Sequence, residues 1–299
     1  MSYSIAVVTW ECAGRLRALV DSMNRHLEDE VELVVADNAS TDDPLAAARD
    51  WKGETVLIRL EGNLGFGAGS NAAVAAARHE GVVLLNPDTV LLDSGLDEVV
   101  GIALARRALA GPRLLNPDGG VQPSASGPPA GIWPWIGALV PGALQPAPLK
   151  ARTEPWRLDR TTRVAWLTGA CVAGPRDVLG SLGPFDPAIH MYAEDMDLGL
   201  RAGRAGIASW FCPDVCLIVH HGGASAALLY PEGNEAAVAS NRRAVLRRAY
   251  GPRREWAAWL AQRLNLRLRA TAKRALGREA ARDRAALAAA RAARASRRL

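Results

Sequence analysis

Between residues 4 and 85 the chain alternates short β-branched apolar runs with helical patterns, and this alternation constrains its fold more than any other feature. The runs occupy residues 4–9, 31–36 (ending at Asp37), 55–60 and 81–85, and a helical stretch near 15–27 follows the first. Parallel strands need crossovers, so strands separated by helices predict βαβ units and a mostly parallel, Rossmann-like sheet flanked by helices. Ligands bind such sheets outside the carboxyl ends of the strands. Thr9, Asp37 and Asn63 fall there, at the expected nucleotide end.

Four later segments carry chemistry. In GNLGFGAGSN (62–71) the glycines, Gly65 among them, let backbone approach a ribose or phosphate and leave amide donors at a helix N-terminus. A dinucleotide fingerprint needs G-x-G-x-x-G after the first strand, whereas Gly65 and Gly67 follow the third and Ser70 holds the last position. Asp88 nevertheless stands where a ribose-binding acid would, so an NAD-dependent oxidoreductase stays open on spacing alone. The fourth run ends in Asn86-Pro87-Asp88-Thr89, a turn or an oxygen ligand for a hard cation. Glu194 and Asp195 open a helix-like stretch whose unpaired amides and positive dipole end let Asp195 stay ionised and ready to take a proton. The same acids also suit an ordinary N-cap, and Asp197 with Arg201 an ordinary i,i+4 pair. Last, a strand-like run delivers His220 beside a Gly-Gly turn. Cys212, Cys216 and His220 share one face of that run, but about 13 Å separates residues four apart in a strand, so one tetrahedral ion cannot span them.

In this order the segments resemble the inverting family-two glycosyltransferases of the GT-A type, whose acceptor half reads E-D-x-D-L-x-x-R and then H-x-G-G-x-S, here residues 194–201 and 220–225. The likeness covers about residues 4–225. It implies a GT-A catalytic domain over 1–241, with a nucleotide-sugar half to about 110 and an acceptor half over 111–241, before a basic helical tail at 242–299. In the family pattern Asp37, within VVADNASTDD (34–43), accepts from a pyrimidine ring. Thr9, Asn63, Gly65 and Asn86 then line the donor. Asp88 keeps the last carboxylate of an Asp-x-Asp-type element and, with His220, would hold Mn2+ or Mg2+. Asp195 would be the base, Glu194 would orient the site, and Arg201 would neutralise phosphate or pair with Asp197. GPRLLNPDGGVQPSA (111–125), WLTGACVAG (166–174) and YAEDMDLGLRAG (192–203) read like actinobacterial rhamnosyltransferases acting on polyprenyl-diphosphate-linked sugars. That likeness puts Trp166, Thr168 and Gly169 on the acceptor side and favours dTDP-rhamnose as donor. UDP-galactofuranose, UDP-glucose and GDP-mannose stay open, as does an idle nucleotide-sugar-binding scaffold.

Charge is unevenly placed. Residues 242–299 carry 18 basic against 3 acidic residues, a net +15, while the first 241 carry 18 against 28, a net −10. Such asymmetry points to a polyanion partner. Trp256, Leu260, Leu264 and Leu268 recur at i+4 as an apolar stripe, interrupted by Arg263 and Arg267. An anionic membrane surface is the expected partner, rather than specific nucleic acid. The apolar segment 131–144, GIWPWIGALVPGAL, is too short and broken to span a bilayer and either dips into an interface or covers the site. Without paired cysteine spacing or a signal peptide, the expected place is the cytoplasm, at the inner face of the membrane.

Overall fold

The four apolar runs form β1 (Ser4–Thr9), β2 (Glu32–Asp37), β3 (Thr55–Arg59) and β4 (Gly81–Leu85), with α1 (Ala13–His26), α2 (Pro44–Ala48) and α3 (Phe66–Ala76) as crossovers, in a computed structural model. It describes residues 1–186, 189, 191–222, 234–275, 277 and 281–295; Gly223 and Ser225 of the expected H-x-G-G-x-S motif lie outside these. The four strands pair in parallel in the order β3-β2-β1-β4. Every residue of β1 and β2 is buried, as expected for strands covered on both faces. Alternation sends Ile5 and Val7 into one layer with Leu16 and Leu19 of α1, and Ala6 into the other with Val74 of α3.

Beyond β4 the chain adds β5 (Thr89–Leu91), α4 (Leu96–Arg106), β6 (Leu109–Leu115), β7 (Ala125–Ser126), α5 (Trp133–Leu139), α6 (Ala147–Thr153), β8 (Thr162–Val164), β9 (Trp166–Leu167), β10 (Cys171–Pro175), α7 (Arg176–Leu182), α8 (Glu194–Arg204) and β11 (Ser209–His220). The sheet continues from β4 as β10-β6-β11-β5, with β8 also on β11. Because β10 runs antiparallel between β4 and β6, this half is mixed. A register shift between Cys212 and Leu217 bulges β11, and Pro213 in the bulge has no amide to give the ladder. All four cysteines are free and buried. Cys212 and Cys216 belong to the core, whereas His220 reaches the mouth of the sheet.

The C-terminal helix α9 (Glu235–Ala275) starts upstream of the change in composition at 242 and is kinked at Gly251 (φ 79°), just before Pro252. It packs against α5, α8 and the last helix, α10 (Ala281–Ala295). Its packing face is not the i+4 stripe: Glu255, Ala258 and Trp259 are buried, whereas Trp256 and Leu268 are 46% and 45% exposed. Arg243 Nε donates to Glu255 at 2.6 Å and Nη1 to the Ala293 carbonyl at 2.7 Å, so the buried cation has the partners that burial requires. No helix among the described residues is long and apolar enough to cross a membrane.

Candidate active site

A cavity of about 250 Å³ opens where β1 and β4 end, bordered by Trp10, Asn38, Asn63, Asn86 and Asp88 on the strand side and by Thr168, Gly169, Glu194, Asp195 and His220 across from them. Residues from seven elements or their ends thus converge on one space. The glycine-rich segment builds one wall by packing. Gly67 lets α3 approach Phe185, since a Cβ there would stand 3.1 Å from the Phe185 Cβ. The Asn71 side chain donates to the Phe185 carbonyl at 2.8 Å and accepts its amide at 3.0 Å, and the Phe66 and Phe185 rings lie 5.3 Å apart. Helix α3 therefore anchors the start of the segment that carries the two acids.

That segment enters α8 through two non-glycine residues in the left-handed region, Tyr192 (φ 71°) and Ala193 (φ 69°). Such backbone costs about 1–3 kcal/mol per residue and persists only where the surroundings hold it. Here the Asn234 side chain donates to the Tyr192 hydroxyl at 2.5 Å, and Asn241 donates to the Met191 carbonyl at 2.8 Å. The strained entry places both carboxylates at the N-terminus of α8. Asp195 accepts from the Met196 amide at 2.6 Å and the Gly169 amide at 3.3 Å. Burial pushes both acids upward, and the Asp195 charge adds to burial in pushing Glu194 up to about 8. With its backbone bonds and the nearby Arg242 cation, Asp195 is the member that ionises first. One neutral and one charged carboxyl side by side are what an acid–base division of labour needs.

A stability consequence follows from linkage. Glu194 titrates near 4.5 when unfolded and near 8 when folded, so the native state binds the extra proton between those values and stability falls as pH rises through that window. Glu194→Gln removes the proton exchange. We expect its melting temperature to be flatter than wild type between about pH 5 and 8 in a thermal-denaturation series; parallel curves would deny Glu194 the raised titration.

Asp88 and His220 face each other across the cavity floor, with Nε2 3.3 Å from Oδ1. Burial opposes the Asp88 charge, but a doubly protonated His220 outweighs it by hydrogen bond and charge and draws Asp88 below the usual carboxylate range. Gln122 fixes the ring. Its Nε2 donates to Asn116 Oδ1 at 3.1 Å, which turns its Oε1 toward His220 Nδ1 at 2.8 Å. In the neutral ring Nδ1 is then the donor and the Nε2 lone pair points at Asp88, whose Oδ1 is buried without a hydrogen-bond donor. Two acceptors in opposition call for a proton or a cation between them. The buried Asn86 Oδ1 also lacks a donor. Two unpartnered oxygens and one imidazole fit a hard or borderline divalent cation, and Gln122 is the outer partner such a ligand set requires.

Several residues expected at the ligand do other work. Asp37 is wholly buried and accepts from Thr9 Oγ1 (3.1 Å), Ser40 N (3.2 Å) and Ser40 Oγ (2.5 Å), so Thr9 and Asp37 hold the β1–β2 loops together rather than line the cavity. Gly65 caps the turn before α3, its amide donating to Asn63 Oδ1 at 3.0 Å and its carbonyl accepting from Asn38 at 3.3 Å. Arg201 does not reach the cavity. It pairs with Asp197 at 2.6 Å and donates to the Leu182 and Pro184 carbonyls, tying α8 to the loop after α7. Trp166 packs beneath α8, where Gly199 leaves room: a Cβ there would sit 2.7 Å from the Trp166 Cα. Of the three residues expected on the acceptor side, Thr168 and Gly169 line the cavity.

Sequence reasoning missed Gln122 and the N-terminal half of α9. Arg242 Nη1 lies 3.7 Å from Met196 Sδ, and its enclosed Nε has no hydrogen-bond partner. Burial works against the Arg242 charge and the Asp195 carboxylate supports it. Arg248 bridges Asp186 and Asp197, bonding the latter at 2.7 Å. Only position could have separated these arginines from the exposed ones, since composition groups all of them in one basic tail.

A family model described as glycosyl transferase family 2 matches residues 4–132. The N-acetylglucosaminyl-diphospho-decaprenol L-rhamnosyltransferase of Mycobacterium tuberculosis is 30% identical over 231 residues, covering 73% of this chain and 75% of that protein. The O-antigen biosynthesis protein RfbC of Myxococcus xanthus is 32% identical over 219 residues, 70% of this chain but 16% of its own. Among solved structures, a mannosyltransferase from Pyrobaculum calidifontis in complex with GDP-Man and Mn2+ superposes with a TM-score of 0.59 at 18% identity, covering 98% of this chain and 74% of that one. GalNAc-T7 with UDP, GalNAc and Mn2+ gives 0.57 at 18% identity, over 74% of this chain and 44% of that one. The fold is therefore GT-A.

Proposed function

The chain belongs to glycosyl transferase family 2 and is a glycosyltransferase; from that premise we propose that it is an inverting enzyme moving a hexosyl group, rhamnose first, from a nucleotide diphosphate to a polyprenyl-diphosphate-linked acceptor. The observation that carries this reading is the opposition, across one cavity, of a carboxylate pair at a helix N-terminus and an Asp88–His220 pair with unpartnered oxygen. Asp195 takes the proton of the acceptor hydroxyl as that oxygen attacks the anomeric carbon, and the carbon–diphosphate bond breaks on the opposite face, inverting the centre. Glu194, protonated beside it, offers a hydrogen bond to the acceptor sugar. Asp88 and His220, with Asn86 beside them, would hold Mn2+ or Mg2+, which when bound would offset the charge growing on the diphosphate. Thr168 and Gly169 form the wall against which the acceptor rests. The lipid-linked acceptor and a peripheral place at an anionic membrane belong to the same reading, supported by the acceptor in the mycobacterial relative's name.

Donor choice is tested by thermal denaturation with a panel of nucleotide sugars and Mn2+, because a ligand of the folded state alone stabilises it by about 2.7 kcal/mol at a hundred times its dissociation constant. We expect dTDP- or UDP-linked sugars to raise the melting temperature most. A larger shift with GDP-mannose would overturn the pyrimidine and rhamnose assignments together.

A further inference from the structure

We propose that the outward face shared by α5 and the second half of α9 docks flat on an anionic lipid bilayer; this rests on the lipid-linked acceptor and adds the surface that meets the lipid. The apolar part is unusual for a free surface. Ile132, Leu139 and Leu144 are 63%, 61% and 75% exposed, and Trp256 and Leu268 nearly half so. These come from two distant segments that the fold joins, since α5 packs against α9 and the Asn265 side chain donates to the Gly137 carbonyl at 2.9 Å. Exposed apolar side chains gathered on two helices that pack together in this way mark an interaction site.

Charge selects the partner. At 3.6 residues per turn, Arg253, Trp256, Leu260, Arg267 and Arg274 fall within one narrow arc of α9, with Leu264 and Leu268 at its edge. Arg253, Arg267 and Arg274 are exposed and make no ion pair among the described residues, whereas Arg269 and Lys273, on another side, are neutralised by Asp283. Apolar side chains interleaved with unpaired arginines are the pattern of a helix lying in a headgroup layer. The kink at Gly251 separates this half of α9 from the half that supports Asp195, so docking leaves the catalytic contacts in place.

The face is also joined to the cavity. Strand β7 is joined to α5 by residues 127–132 and pairs with β9, whose next residues, Thr168 and Gly169, line the acceptor wall. A lipid-anchored acceptor lying in a bilayer under α5 would therefore present its sugar along β7 and β9 to Asp195.

The test uses the full-length protein and co-sedimentation with vesicles of phosphatidylcholine alone or with 30% (about a third) phosphatidylglycerol. Wild type is expected to bind the anionic vesicles tightly and to release as salt shortens the screening length. Ile132→Glu with Leu139→Glu, and separately Arg253→Gln with Arg267→Gln, should each weaken binding about tenfold or more, with melting temperatures close to wild type because all four side chains are at the surface. Unchanged binding by both folded variants overturns the proposal, and so does equal binding to neutral vesicles. Displacement of the vesicles by a DNA duplex at lower concentration would assign the charge to nucleic acid instead. Concentration-dependent dimerisation in sedimentation velocity, lost in the glutamate variant, would assign the apolar face to a second copy. Vesicle binding needs no sugar donor, so failure of the donor panel and failure of this face are read independently.

Discussion

Asp195→Asn is expected to lower transfer about 10²–10⁴-fold while leaving nucleotide-sugar binding within a factor of about two. The substitution keeps the shape and one of the two backbone bonds, since the Met196 amide donates to Oδ1 and the Gly169 amide to Oδ2, and asparagine has a single acceptor oxygen that takes the stronger, from Met196. It removes the proton acceptor, and with it the negative charge that supports buried Arg242. Calorimetric titration of the donor with Mn2+ reads binding, and turnover with a lipid-linked acceptor reads chemistry. Near-normal turnover would take the base role from Asp195. A large loss of donor affinity would instead give it a part in the donor site. The same change lifts the charge that pushes Glu194 upward, so Glu194 should then titrate lower, and the pH dependence of stability should weaken as in Glu194→Gln.

How far this site was legible depended on period and position. Runs 4–9 and 81–85 are β1 and β4 to the residue, because parallel strands covered on both faces are written as continuous apolar runs. Asp88, Glu194, Asp195 and His220 were recognisable because each stands at the end of an element, where polar side chains must face a ligand or solvent. Asp37 and Arg201 were expected at the ligand because their residue types suit one, and in the structure both are already bonded by their neighbours. Ser40 and Thr9 saturate Asp37, and two loop carbonyls occupy Arg201. Gln122 carries no local signal at all, since its importance arises only when the turn after β6 is folded against the end of β11. The tail misled through its average. Arg242 and Arg248 share its composition but pack against α8 and its neighbours, Arg243 ties the C-terminal helices to each other, and of the i+4 stripe Trp256 and Leu268 are nearly half exposed.

The second large effect is expected at the cation site, where function and stability should part. Asp88→Asn removes the charge but keeps the volume, and should cost about 10²–10³-fold in turnover, the scale of losing one preorganised electrostatic contact to a leaving group. In the protein without ligand, however, the new amide can donate to His220 Nε2, which now faces an unpartnered oxygen at 3.3 Å. The variant should therefore melt at or above the wild-type temperature, as expected where a strained constellation is kept for its chemistry. Gln122→Leu should act more mildly, raising the Mn2+ concentration needed for half-maximal activity about 10–100-fold, because it frees the imidazole without removing it. A chelator should abolish wild-type turnover and Mn2+ or Mg2+ restore it. If Asp88→Asn melted several degrees lower and kept its response to Mn2+, Asp88 would be a structural carboxylate and the cation would be held elsewhere.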